Sequence, residues 1–69
     1  MQLMKKLRVN KSIYSDESIA KTILAYKDFA VTSVSNKKDY VVITFWKCKY
    51  DEDQTVKEFE NYMIGVENS

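Results

Sequence analysis

Leu3, Lys5, Leu7 and Val9 alternate with Met4, Lys6 and Arg8, and this period of two predicts a first strand over residues 3 to 9, with Lys5 interrupting its apolar side. The pattern then changes to three- and four-residue spacing. Ile19, Ala20, Ile23 and Leu24, extended by Ala30, mark the buried face of a helix that starts near Asp16. Its start is well signalled: Ser15 can cap the first amides, Asp16 and Glu17 place negative charge at the positive end, and Tyr14 can pack on Ile19 as a hydrophobic staple. Glu17 and Lys21 form a favourable i,i+4 pair on the outer side.

After Phe29, the β-branched segment Val31 to Ser35 predicts a second strand, and Asn36-Lys37-Lys38-Asp39 has the composition of a four-residue hairpin connection. The returning arm, Tyr40 to Trp46, is apolar at nearly every position, as a strand with neighbours on both edges tends to be. Tyr50-Asp51-Glu52-Asp53 breaks it. Either Asp53 or the Thr55-x-x-Glu58 capping box opens a second helix, whose inner stripe is Val56, Phe59, Met63 and Val66 and whose end is placed at Gly65.

The expected order is β-α-β-β-α, a single α+β domain over residues 1–69. A right-handed crossover and a central position for the most apolar strand lead to a three-stranded antiparallel sheet in order 1-3-2, with both helices on one face. This is a ferredoxin-like, split βαβ arrangement lacking its last strand. If Val41, Ile43 and Phe45 face the helices, strict alternation turns Tyr40, Val42, Thr44, Trp46, Cys48 and Tyr50 to the opposite, open face. Those side chains either pack among themselves at the surface or form a partner-binding face, since contiguous apolar patches usually mark interaction sites. The outer edge of the first strand is open too. Lys5, Lys6 and Arg8 would suit an acidic peptide added there as an extra strand, or would simply guard the edge against aggregation.

Composition narrows the chemistry. Sixty-nine residues contain no His, no Pro, one Gly and one Cys. Without His, a triad-type nucleophile has no ordinary base, so no catalytic residue is expected. One cysteine cannot form an internal disulfide, which fits a reducing cytoplasmic setting, and Cys48 reads as a packed thiol. Zinc lacks ligands. A calcium loop opening at Asp51 fails at Val56, where Gly is needed, and at Tyr62, where Glu is needed. No cofactor is expected. No apolar run reaches the 18 or so residues of a membrane helix, and Met1 to Asn10 lacks the core of a signal peptide.

Charge is divided along the chain: up to Lys49 there are ten Lys or Arg against four Asp or Glu, and beyond it one against six. The basic part is too evenly spread to be a DNA-binding footprint. Single-stranded nucleic-acid binding by sheet aromatics is the weakest reading, because the central strand carries neither Gly nor Arg. A chain this short buries only about 60% of its unfolded surface, so self-association as a homodimer over the open face is an alternative source of stability.

Lys11-Ser12-Ile13-Tyr14-Ser15, Cys48-Lys49-Tyr50-Asp51 and Glu58-Phe59-Glu60-Asn61-Tyr62-Met63-Ile64 together resemble the HxsD-like proteins of His-Xaa-Ser peptide-modification systems, over roughly Val9 to Asn68. The resemblance implies a noncatalytic accessory protein that accompanies a radical SAM maturase. The partners it implies are the maturase or its precursor peptide.

Overall fold

Each helix begins where a side chain, Ser15 or Asp51, accepts from a free backbone amide of its first turn. A computed structural model describes residues 4–69, in the order β1 (Lys5–Asn10), α1 (Asp16–Ala25), β2 (Ala30–Asn36), β3 (Tyr40–Cys48) and α2 (Glu52–Glu67). Leu3, expected at the start of the first strand, lies outside the described residues. The strands form an antiparallel sheet in the order β1-β3-β2, so the most apolar strand has a neighbour on both edges. Val9, Val41, Ile43 and Phe45 from the sheet and Ile19, Phe59 and Met63 from the helices make one core.

Ser15 caps α1 through its hydroxyl, which accepts from the Ser18 amide at 3.2 Å, and Asp16 and Glu17 occupy the first turn. Tyr14 packs against the core that contains Ile19. The buried face of α1 differs from the apolar stripe. Ser18, Ile19 and Thr22 are buried, while Ala20 and Leu24 are exposed, Leu24 at 65%. The reason lies in how the polar atoms are satisfied: the Ser18 hydroxyl donates across to Glu67 of α2 at 2.7 Å, and within α1 the Thr22 hydroxyl donates to the Ser18 carbonyl at 2.8 Å. Two small side chains with satisfied polar atoms let the helices approach closely, and burial then costs little. The helix also stops earlier than its pattern suggests. Phe29 and Ala30 both donate their amides to the Tyr26 carbonyl, which turns the chain and delivers Ala30 into β2.

Three further boundaries are corrected. The hairpin connection is Lys37-Lys38-Asp39, because Asn36 still pairs with Val41 and the Lys37 amide donates to the Tyr40 carbonyl at 2.9 Å. The cap of α2 is Asp51, which accepts from the Gln54 amide at 2.9 Å; Thr55 is buried inside the helix, its hydroxyl donating to the Asp51 carbonyl at 2.7 Å. Asp53, one of the two expected caps, instead reaches Lys5 at 2.9 Å. Gly65 does not end α2. It has no positive φ and lies within the helix, with open space where a Cβ would stand. Gly65→Ala is therefore expected to stabilise the protein by about 0.5–1 kcal/mol, because alanine loses less backbone freedom on forming helix. Urea denaturation reads this as a higher midpoint at unchanged slope; an unmoved or lower midpoint contradicts it.

Glu67 ties the two helices together. Its carboxylate accepts from the Ser15 amide at 2.8 Å and from the Ser18 hydroxyl at 2.7 Å, and these hydrogen bonds hold its pKa below the usual value of 4.5. A carboxyl whose folded pKa is depressed adds stability above its unfolded pKa and loses it as pH falls through the folded one. The protein is expected to weaken below about pH 4.5, where unfolded glutamate begins to hold its proton, and Glu67→Gln is expected to flatten that acid limb. Urea midpoints from pH 7 to pH 3 measure both; an equally steep acid limb in Glu67→Gln removes Glu67 from the account.

Candidate binding face of the sheet

Alternation along β3 is broken at one residue. Val31 pairs with Lys47 and Thr32 with Phe45, which leaves Trp46 as an extra, bulged residue. A bulge re-aims the side chains that follow it. Val41, Ile43 and Phe45 face the helices as expected, and before the bulge the open face carries Tyr40, Val42 and Thr44, together with their register partners Lys6, Arg8 and Asn10 on β1 and Ser33 and Ser35 on β2. After it, Cys48 returns to the helix side and packs against the core. Tyr50 follows it off the open face, lying against Phe29 with ring centroids 6.2 Å apart. The expectation that Cys48 and Tyr50 share a face with Trp46 is thus corrected, and one unpaired residue is the cause.

Trp46 remains on the open face, 45% exposed, and is not enclosed by the helices. Its indole N–H donates to the Ser33 hydroxyl at 2.8 Å, which fixes the ring across the strand. Tyr40 is half-buried because the Arg8 guanidinium lies over its ring, 4.4 Å from the centroid. Val42 is partly covered. Thr44 is only 8% exposed, closed in at the middle of the sheet between its partners Lys6 and Ser33, so it offers little surface to a ligand. The face therefore presents one fixed indole, one tyrosine, the partly covered Val42 and, with Lys47 beyond the bulge, three cations, and its register positions hold no acidic residue.

Of the three basic residues expected along the β1 edge, the sheet separates Lys5 from the others. Lys5 pairs with Phe45 and so points to the helix side, where its ammonium meets Asp53 at 2.9 Å. That contact, reinforced by Glu52 and Asp51, raises its pKa. Lys6 and Arg8 point to the open face. The outer edge of β1 has no strand beside it among the described residues.

On the helix side, the structure assembles an aromatic group that the spacing of apolar residues did not single out. Tyr26 makes edge-to-face contacts with Phe29, Phe59 and Tyr62, at centroid distances of 6.0, 5.4 and 5.8 Å. Burial, then Glu58 and Tyr62, pushes the Tyr26 hydroxyl above its ordinary pKa. The only available hint in the sequence was the excess of aromatic residues, Tyr26, Phe29 and Tyr62 among them, over what the core and sheet require. Cys48 lies nearby with its thiol pKa raised, chiefly by burial and further by Glu52 and Asp51, which disfavours the thiolate.

Among the described residues no helix is long and apolar enough to cross a membrane. No family model, curated protein or solved structure matches the chain.

Proposed function

We propose that the protein is a noncatalytic adaptor that binds an acidic, partly apolar segment of another protein or peptide on the open face of its sheet and along the outer edge of β1. The observation that carries this reading is Trp46, a large indole fixed by Ser33 on a face with no helix over it, beside the cations of Lys6 and Arg8. An indole already held in one orientation loses little further freedom when it is covered, which favours binding. Backbone groups on the β1 edge supply hydrogen bonds to an extended segment, and Lys6 and Arg8 supply its charge complement. The resemblance to HxsD-like proteins supports a particular partner, a radical SAM maturase or its precursor peptide.

Trp46 is the single tryptophan of the chain, so its emission reports directly on this face. Titration with the nearest-encoded maturase and precursor peptide is expected to shift that emission to the blue, saturably, and less strongly as salt is raised. Unchanged emission with both partners, at low salt and saturating concentration, overturns the reading. A shift that follows the protein's own concentration, accompanied by dimers in sedimentation, assigns the face to a second copy instead. Base stacking is disfavoured by geometry: Tyr40 already carries Arg8 on one side of its ring, leaving Trp46 as the face's one ring with no cation stacked on it, where RNA-binding sheets use two or three.

A further inference from the structure

We infer that the cleft between Tyr26, Phe29, Tyr50, Thr55 and Glu58 is a binding site for an alkylammonium group. The site lies on the helix side of the sheet and does not depend on the adaptor reading. Its volume is about 150 Å³, several times the roughly 30 Å³ that one water occupies in the liquid, so it admits a small organic head group. Three aromatic rings line it. Tyr26 and Phe29 meet edge to face at 6.0 Å and 66°, and Phe29 and Tyr50 lie 6.2 Å apart and tilted by 33°, so the rings form a bent wall and not a stack. Ring faces carry negative potential, and several aromatic rings grouped around one cleft are the arrangement that recognises quaternary and methylated ammonium groups.

Charge supports the same occupant. Glu58 is the ionisable carboxylate in the lining, and its field reaches the Tyr26 hydroxyl. Tyr50 already attracts a cation of the chain itself, the Lys49 ammonium 5.7 Å from its ring centroid. An anion would meet the Glu58 carboxylate unfavourably, whereas a cation would complement it beside the Gln54 side-chain amide, which donates to one of its oxygens at 3.3 Å. Two of the rings also reach solvent, with the Lys49 ammonium sharing that of Tyr50. Phe29 and Tyr50 are both exposed, and Tyr50, at 62% exposure, contributes little to the core, so it can be replaced without unfolding the protein.

The experiment is a titration of the intact protein followed by the ring resonances of Tyr26, Phe29 and Tyr50. The ligands are choline, its neutral isostere 3,3-dimethylbutanol, and a short peptide bearing trimethyllysine. Choline and the peptide are expected to shift these resonances saturably, with the isostere at least about fivefold weaker, the factor that a cation–π contribution of roughly 1 kcal/mol provides. Tyr50→Ala is expected to weaken binding by a similar factor, Tyr50→Phe to retain it, Glu58→Gln to weaken it, and Lys49→Ala to strengthen it by removing a competing cation. Tighter binding of the peptide than of choline identifies a modified lysine as the source, and the reverse identifies a free head group. Equal binding of the neutral isostere, or a folded Tyr50→Ala with undiminished affinity, overturns the assignment.

Discussion

Phe59→Ala is expected to lower the melting transition by at least about 12 °C. Phe59 is fully buried, at 0% exposure, and its ring stands edge to face with Phe45 at 5.1 Å and with Tyr26 at 5.4 Å. It is the contact through which α2 holds both the sheet and the turn that follows α1. Replacing a buried phenylalanine by alanine costs about 3–5 kcal/mol, combining lost transfer energy with the cavity left behind. A 69-residue domain has only about 3–10 kcal/mol in total, at roughly 0.05–0.15 kcal/mol per residue. The cost is comparable to the lower part of that range, so this one substitution removes a large share of the margin. Far-ultraviolet circular dichroism during heating checks this. A cooperative melt within a few degrees of the parent would mean that the core does not depend on Phe59.

Trp46→Ala should produce the opposite combination, a folded protein that no longer binds its partner. The indole is half exposed and holds one neutral hydrogen bond to Ser33, worth about 1 kcal/mol, so the melting transition moves little. At an interface, truncating a central tryptophan commonly costs 2 kcal/mol or more, about a thirtyfold loss of affinity. Trp46→Phe separates the two contributions, since it keeps an aromatic ring and removes the hydrogen bond that orients it. Calorimetric titration with the partner identified by Trp46 emission is the suitable measurement, because the variants lack the fluorescent reporter. A folded Trp46→Ala with unaltered affinity would move the binding surface elsewhere, to the β1 edge alone.

The elements of this fold were legible wherever a few neighbouring residues decide the outcome. Ser15 caps α1 because its hydroxyl reaches an amide three residues on, and β3 lies centrally because its residues are apolar on both faces. The buried stripe of α1 was less legible. Hydrophobicity points to Leu24, whereas burial went to Ser18 and Thr22, because a helix-to-helix approach rewards small residues whose polar atoms find partners. The candidate face was legible up to Trp46 and misjudged beyond it, since period-two counting has no means of seeing an unpaired residue.

Sequence alone settled the order of elements, the antiparallel sheet with its central β3, and the side to which Tyr40, Val42 and Trp46 point, because these follow from backbone periodicity, short-range capping, the apolar character of β3 and the handedness of the crossover. Tertiary structure decided three further things: that Tyr50 and Cys48 leave the face Trp46 occupies, that Lys5 is claimed by Asp53, and that Tyr26, Phe29, Tyr50 and Glu58 meet in one cleft. Each depends on register or docking between segments far apart in the chain. Those are set by how β2 pairs with β3 and where α2 comes to rest, and no short stretch of residues encodes them.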